Sequence, residues 1–336
     1  MSKLQSCFLR SILGRLRMAA VIVACLSSVA FAESDAVIVV VGAPGSDEYE
    51  QQFSEWAKRW QDISEQAKID CTVIGLNEPA EGDATDEASS TPSRDQLKAA
   101  IQKQAVRESG NMWLVLIGHG TPHGRDAKFN LRGPDVSSNE LAEWLKDVKC
   151  RVAIANCTSA SGPFLNALSR NDRVVVTATK SGAEINYARF GDYFSQAIAS
   201  PNSDLDHDQQ VSLLEAFLTA SKDVQDFYEL ESRLATEHAL LDDNGDQKGT
   251  PASFFRGILA TKSATSGEEL DGTIAHQMIF LKNDRESQLS PDQTAKRDRL
   301  EKEIAALRKR KSQLADDEYY KQLENIMTQM AEIYVQ

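Results

Sequence analysis

The sequence predicts an α/β fold with a mostly parallel sheet covered on both faces. Three observations carry that expectation. Short, continuously apolar runs recur, such as DAVIVVV at residues 35–41 and MWLVLI at residues 112–117. Strands buried on both faces read this way. Between the runs lie stretches with apolar residues at helical spacing. Glycines, prolines and helix-start signatures separate the two kinds of segment, and strictly alternating strands and helices favour parallel pairing with crossover helices.

In chain order, residues 35–41 form the first strand and Gly42-Ala43-Pro44-Gly45 breaks it. Phe53, Trp56, Trp60, Ile63 and Ala67 then mark one stripe of a helix over residues 48–66. CTVIGL at 71–76 is the second strand, and the acidic, small-residue segment 78–93 is a surface loop. Ser93 with Gln96 is a capping box opening a helix to about residue 109. The third strand, 112–117, ends in Gly118-His119-Gly120. Ser137 with Glu140 opens the next helix, to about residue 148. CRVAIAN at 150–156 is the fourth strand, ending on Cys157, and VVVT at 174–177 is the fifth.

Beyond residue 200 the pattern changes. Residues 211–241 read as a long helix, 242–265 as irregular and 274–281 as a short helix. From Pro291, Leu300, Ile304, Leu307 and Leu314 follow a heptad spacing, interrupted at Asp316-Asp317. Tyr320, Leu323, Met327, Met330 and Ile333 continue a second stripe, so 286–336 reads as a helical hairpin suited to self-association or docking. The organisation expected is a core at 33–200, an acidic loop with a long helix and irregular extension at 201–285, and the hairpin.

Residues 1–17 hold Lys3, Arg10, Arg15 and Arg17 and no acid; a small apolar run follows to Ala30, then Ala30-Phe31-Ala32. That is the layout of an export signal, cleaved before Glu33. Ile22-Val23-Ala24-Cys25 offers a second processing site, with a lipid on Cys25. The chain has 336 residues and a net charge of −13; without residues 1–32 it has 304 and −17. Such an acidic chain lacks the basic face that nucleic acid requires. No apolar run after residue 33 is long enough to span a bilayer. The expected location is periplasmic or extracellular. Of five cysteines, Cys71, Cys150 and Cys157 remain after cleavage. An odd number cannot all pair internally, so at least one thiol is left over.

Ligands and chemistry gather at the carboxyl ends of parallel strands. His119 and Cys157, 38 residues apart, each follow such an end. A cysteine at a strand-to-helix turn meets free backbone N–H groups, which favour thiolate. A nearby imidazole can take a proton and return it to a leaving amine. Gly120 lets its own N–H approach a substrate carbonyl, and with the Cys157 N–H it makes a two-donor oxyanion hole. The chemistry needs no cofactor.

A His-Gly after one hydrophobic strand and a Cys after the next resembles the caspase-like clan of cysteine peptidases. The run Asn156-Cys157-Thr158-Ser159-Ala160-Ser161-Gly162 is most similar to the legumain-type branch, whose nucleophile sits in Ala-Cys-x-Ser-Gly. The resemblance spans about residues 35–200. It implies a caspase-like α/β/α sandwich, His119 and Cys157 as the dyad, Gly120 in the oxyanion hole, protein or peptide substrates and secreted bacterial relatives. The Glu that legumain carries two residues before its Cys is here Ala155, which removes the basis for asparaginyl specificity. The clan builds its substrate pocket after the fifth strand. There Glu184 or Asp192 would attract a basic side chain, and Lys180 or Arg189 an acidic one, unless all four are solvated loop charges.

Asp204, Asp206 and Asp208 stand at positions 1, 3 and 5 of a twelve-residue loop closed by Glu215, the spacing of an EF-hand. A structural calcium ion is the expected ligand; an acidic helix cap is the other reading. Position 6, usually Gly, is Gln209, which strains the turn. The run 242–249 (DDNGDQKG) resembles the front half of such a loop, but Phe254 stands near the closing position, and it reads as a structured polar turn. Two rivals to the peptidase follow: a catalytically silent peptidase-fold scaffold, and a calcium-dependent protein-binding module.

Overall fold

The computed structural model describes residues 35–76, 91–107, 109–265 and 269–335. The expected export signal with Cys25, and most of the acidic loop at 78–93, lie outside them. Residues Glu33–Gln336 form one compact unit.

The first strand, β1 (Ala36–Val41), is buried throughout. Val37, Val39 and Val41 enter one layer of core, and Ile38 and Val40 the other, so a continuous apolar run is a strand with two dry faces. Helix α1 (Asp47–Ala67) starts where Ser46 accepts a bond from the Tyr49 N–H. It buries Phe53, Trp56, Trp60 and Ile63. It ends at Lys68, which is left-handed (φ 56°). Then follow β2 (Asp70–Ile74), α2 (Ser93–Ala105) and β3 (Asn111–Ile117). The expected capping box of α2 does not form: Pro92 occupies the N-cap, and the Gln96 amide donates to Thr91 O at 2.7 Å.

After His119 the chain builds a small antiparallel sheet that the sequence reading did not anticipate: β4 (Gly120–His123), β5 (Asp126–Phe129) and β6 (Val136–Ser137). Its runs are too short and polar to show a period. Helix α3 (Ser138–Trp144) does carry the capping box of Ser137 and Glu140, but it stops at Leu145, short of residue 148. Then come β7 (Arg151–Asn156), α4 (Gly162–Leu168), β8 (Arg173–Thr177) and α5 (Phe190–Ala197).

The expected 31-residue helix is shorter: α6 (Leu213–Leu230), opened by a capping box of Ser212 and Glu215. Residues Leu240–Asp242 instead form β9, an antiparallel strand against β8. The sheet runs β2-β1-β3-β7-β8-β9, parallel except at that last edge. Helices α1, α5 and α6 cover one face, and α2, α3 and α4 the other. The α/β/α sandwich is therefore present as expected, with its last strand and one covering helix drawn from beyond residue 200.

A short helix α7 (Thr273–Gln277) leads to the C-terminal hairpin, α8 (Pro291–Lys309) and α9 (Asp316–Tyr334). Leu300, Leu307, Tyr319, Ile326 and Ile333 bury one another there. Arg297, almost fully buried, pairs with Glu286 and Asp298, and Arg151 of β7 reaches Asp298 at 3.1 Å. Tyr320, Met327 and Val335 remain exposed. Among the described residues, no helix is long and apolar enough to cross a membrane.

Candidate active site

Strands β3 and β7 are parallel neighbours, with Leu116 opposite Asn156. His119 and Cys157 thus leave the sheet at the same end and on the same side. A second tie joins their loops. The Ser159 hydroxyl accepts from Gly120 N and donates to Gly120 O, each at 3.1 Å. A side chain at Gly120 would strike Ser159 O at 2.2 Å, so only glycine permits this approach.

His119 is half-buried, edge-on to Tyr49 at 4.8 Å and Phe53 at 5.2 Å between ring centroids, with Tyr187 at 6.3 Å. Its Nε2 lies 3.1 Å from Pro44 O. A carbonyl only accepts, so Nε2 carries the hydrogen and Nδ1 is the basic nitrogen. Burial pulls the imidazole below its ordinary pKa, and the Pro44 bond only partly offsets this. The ring is therefore neutral at pH 7, the state a general base needs.

Cys157 is 1% exposed. Its Sγ lies 3.8 Å from Ala155 O, and its N–H donates to Leu116 O at 2.9 Å. Burial, with the charge of Glu237 behind it, pushes the thiol up to about 12. This corrects the expectation that free N–H groups favour the thiolate: the nearest N–H belongs to the sheet ladder, and desolvation decides. The two expected oxyanion donors, Cys157 N and Gly120 N, are both hydrogen-bonded within the chain in this conformation. Gly191 covers the thiol carbon; a Cβ there would stand 2.7 Å from Cys157 Cβ and 2.8 Å from the Trp56 ring.

Beside this wall opens a polar cleft of about 230 Å³, lined in part by Trp56, Arg59, Tyr187, Arg189 and Asp192. Arg59 pairs with Asp192 at 2.5 Å. The Arg189 guanidinium sits 4.2 Å above the Phe227 ring and 5.4 Å from Tyr187. Of the four expected pocket residues, Asp192 and Arg189 thus line the cleft. Glu184 and Lys180 do not; they pair with each other, and Glu184 also bonds His238. Ala155 is buried in the core, behind Cys157.

Glu237 was not anticipated. Its buried carboxylate accepts from Arg189 N and Phe190 N at 2.9 and 3.0 Å and from the Tyr228 hydroxyl at 3.2 Å. It thereby fixes the start of α5, and with it Gly191. A lone Glu in an irregular segment gives no sequence signal of that role.

At the acidic loop, Asp204, Asp206 and Asp208 bring carboxylate oxygens within 4.8 Å of one another. Gln209 is left-handed (φ 70°), as the missing glycine requires. Glu215, expected to close the loop, has both carboxylate oxygens hydrogen-bonded within the chain. One of its oxygens accepts from Leu205 N and Asp206 N, the other from Ser212 N and Oγ. In this conformation Glu215 is the N3 partner of the Ser212 cap, where helix α6 starts. His276 Nε2 lies 3.0 Å from Asp206.

No family model and no curated protein matches the chain. Among solved structures it is similar to the Drosophila initiator caspase Dronc, at 13% identity over 67% of this chain and 89% of that one, with TM-score 0.43. A structural-genomics protein from Geobacter sulfurreducens is 10% identical over 62% and 93% (TM-score 0.40). Caspase-1 from Spodoptera frugiperda is 9% identical over 62% and 86% (TM-score 0.37).

Proposed function

We propose that the chain is an exported cysteine endopeptidase of caspase-like architecture, closest in motif to the legumain-type branch, acting on protein or peptide substrates. The observation that carries this reading is the double tie between the two loops: the β3–β7 register and the reciprocal Gly120–Ser159 bonds. His119 Nδ1 takes the Cys157 proton and Sγ attacks the scissile carbonyl carbon. The C–N bond then breaks, the amine leaves with the proton from His119, and a thioester remains. Water, deprotonated by His119, attacks the thioester; the acid leaves and the thiol is restored. The conformation described is a resting one, in which Gly191 and Trp56 must draw back before Sγ meets substrate. Arg59, Asp192 and Arg189 offer the cleft a charged lining for the residue before the cut. Calcium at Asp204, Asp206 and Asp208 is structural in this reading, and residues 1–32 are the export address; sequencing the secreted protein should find Glu33 first.

A sealed, protonated thiol and two occupied oxyanion donors favour a second reading, the silent scaffold. One experiment separates them. The full chain, supplied with calcium, is incubated with peptides varied before the cut. The peptidase reading expects cleavage that disappears in Cys157→Ala and His119→Ala. No cleavage of any peptide, with no alkylation of Cys157 in the presence of any of them, leaves the scaffold.

A further inference from the structure

Glu237 acts on Cys157 by two routes, and the dyad chemistry uses neither. It belongs to the segment between α6 and β9, in which residues 231–235 are exposed and Glu237 turns inward to 3% exposure. Helix α5 opens without a cap of its own: Arg189 is its N-cap and offers no side-chain bond. Glu237 supplies that bond from 48 residues away. Both of its oxygens accept from Arg189 N at 2.9 Å, and one also accepts from Phe190 N at 3.0 Å. A carboxylate suits a helix start, where free N–H groups and the helix dipole favour negative charge. The Tyr228 hydroxyl of α6 donates to it as well, at 3.2 Å.

The first route is geometric. Gly191 follows the two bonded N–H groups directly and lies on the thiol: a Cβ there would stand 2.7 Å from Cys157 Cβ. The cover therefore sits as far in as the first turn of α5, and Glu237 sets that depth. The second route is charge. Burial raises the Cys157 thiol first, and the Glu237 carboxylate raises it further. Around Glu237 stand Arg189, Tyr228, Tyr187 and Tyr193, of which Arg189 is the cation. The Arg189 guanidinium is stacked on Phe227. His238, next in the chain, turns to Glu184.

We propose that Glu237 is the lock that keeps Cys157 latent, a positioning residue acting through Arg189, Phe190 and Gly191 to hold the cover on the thiol. Its charge works in the same direction, because a carboxylate behind the sulfur opposes the thiolate. The proposal rests on reading Cys157 as the nucleophile and names how that nucleophile is held in check. The lock is carried on an exposed segment, so shifting residues 231–236 frees the thiol without disturbing the sheet. A cavity of about 370 Å³ between that segment and α6, lined in part by Phe190, Tyr228, Leu234 and Glu237, gives the segment and the start of α5 room to move.

The test is alkylation of the full chain with iodoacetamide, without substrate, read at each cysteine by mass spectrometry. Cys150 is also buried, in the layer on the opposite face of the sheet, so its labelling reports opening of the whole fold. Because both Glu237 oxygens face Arg189 N, either orientation of the amide in Glu237→Gln turns an NH2 toward that N–H. In this variant Cys157 should label at least ~10-fold faster than in wild type while Cys150 keeps its rate. Tyr228→Phe removes one bond and keeps the charge; it should accelerate Cys157 alone, by at least ~2-fold. The pH of half-maximal labelling at Cys157 should lie lower in Glu237→Gln than in Tyr228→Phe. Equal acceleration at Cys150 overturns the proposal, as does an unchanged Cys157 rate in both variants. Equal pH midpoints also overturn it, since a merely structural residue would give them. These rates involve no peptide cleavage, so a chain that cleaves nothing still decides the lock.

Discussion

The two faces of the sheet are equally dry and differently made. On one, α1, α5 and α6 bring Trp56, Trp60, Phe190, Phe194 and Phe217. On the other, α2, α3 and α4 bring Leu97, Ile101, Leu141, Leu165 and Leu168, with Phe164, and β5 adds Phe129. Both bury apolar area and both stabilise the sheet. Only the aromatic face receives His119 and Cys157. Flat rings can stand edge-on around an imidazole and strip it of water without filling its place. The same burial that holds one face together sets protonation states on the other.

The comparison can be broken by truncating one ring on each face. Phe53→Ala and Phe164→Ala remove fully buried rings, and each should cost ~3–5 kcal/mol in denaturant unfolding. The faces separate in a second readout. Phe53 lies against His119 and Phe164 does not, so Phe53→Ala should raise the His119 pKa, followed by NMR, while Phe164→Ala leaves it in place. Equal pKa values in both variants would erase the distinction drawn between the faces.

A smaller effect is expected where the loops meet. Gly120→Ala forces a Cβ onto Ser159 O, at ~1–3 kcal/mol, and should abolish peptide cleavage. Gly182→Ala, whose Cβ would meet nothing closer than 3.4 Å, is the control and should be near neutral.

His119 also writes a pH dependence. Its folded pKa is depressed, so the unfolded chain binds more protons once the pH falls below about 6.5. Its contribution to stability is full above that value and is lost as pH drops through the folded pKa. The loss should be absent in His119→Asn; an identical pH profile in that variant would remove His119 from the account.

The thiols should differ in reactivity rather than in stability. Cys157, held up to about 12, should react with iodoacetamide at pH 8 at least ~10-fold more slowly than the half-exposed Cys71. Faster labelling of Cys157 would mean that its cover opens freely without substrate.

Much of the fold was legible because the parallel strands are short apolar runs and α1 and α8 carry their own stripes; in α9, Tyr319 and Ile326 are buried where Tyr320 and Met327 were expected. The strands β4, β5 and β6 were not, because two to four residues hold no period. Strand β9 was not, since Leu240 and Leu241 continue the apolar spacing of α6; the sheet edge beside β8 claims them instead. That His119 and Cys157 stand at the same end of neighbouring strands was legible from the apolar runs before them. The cover over Cys157 was not, because Trp56, Gly191 and Glu237 come from three distant segments.

The sequence by itself determined the layer order, the strand ends at which His119 and Cys157 stand, and the acidic spacing at 204–208. Those are local properties, set by period, glycine and side-chain type. The tertiary structure alone decided that Cys157 is sealed, with its thiol raised by burial, and that Glu215 braces the Ser212 cap of α6. Protonation and satisfaction depend on which distant atoms exclude water, and only packing brings those atoms together.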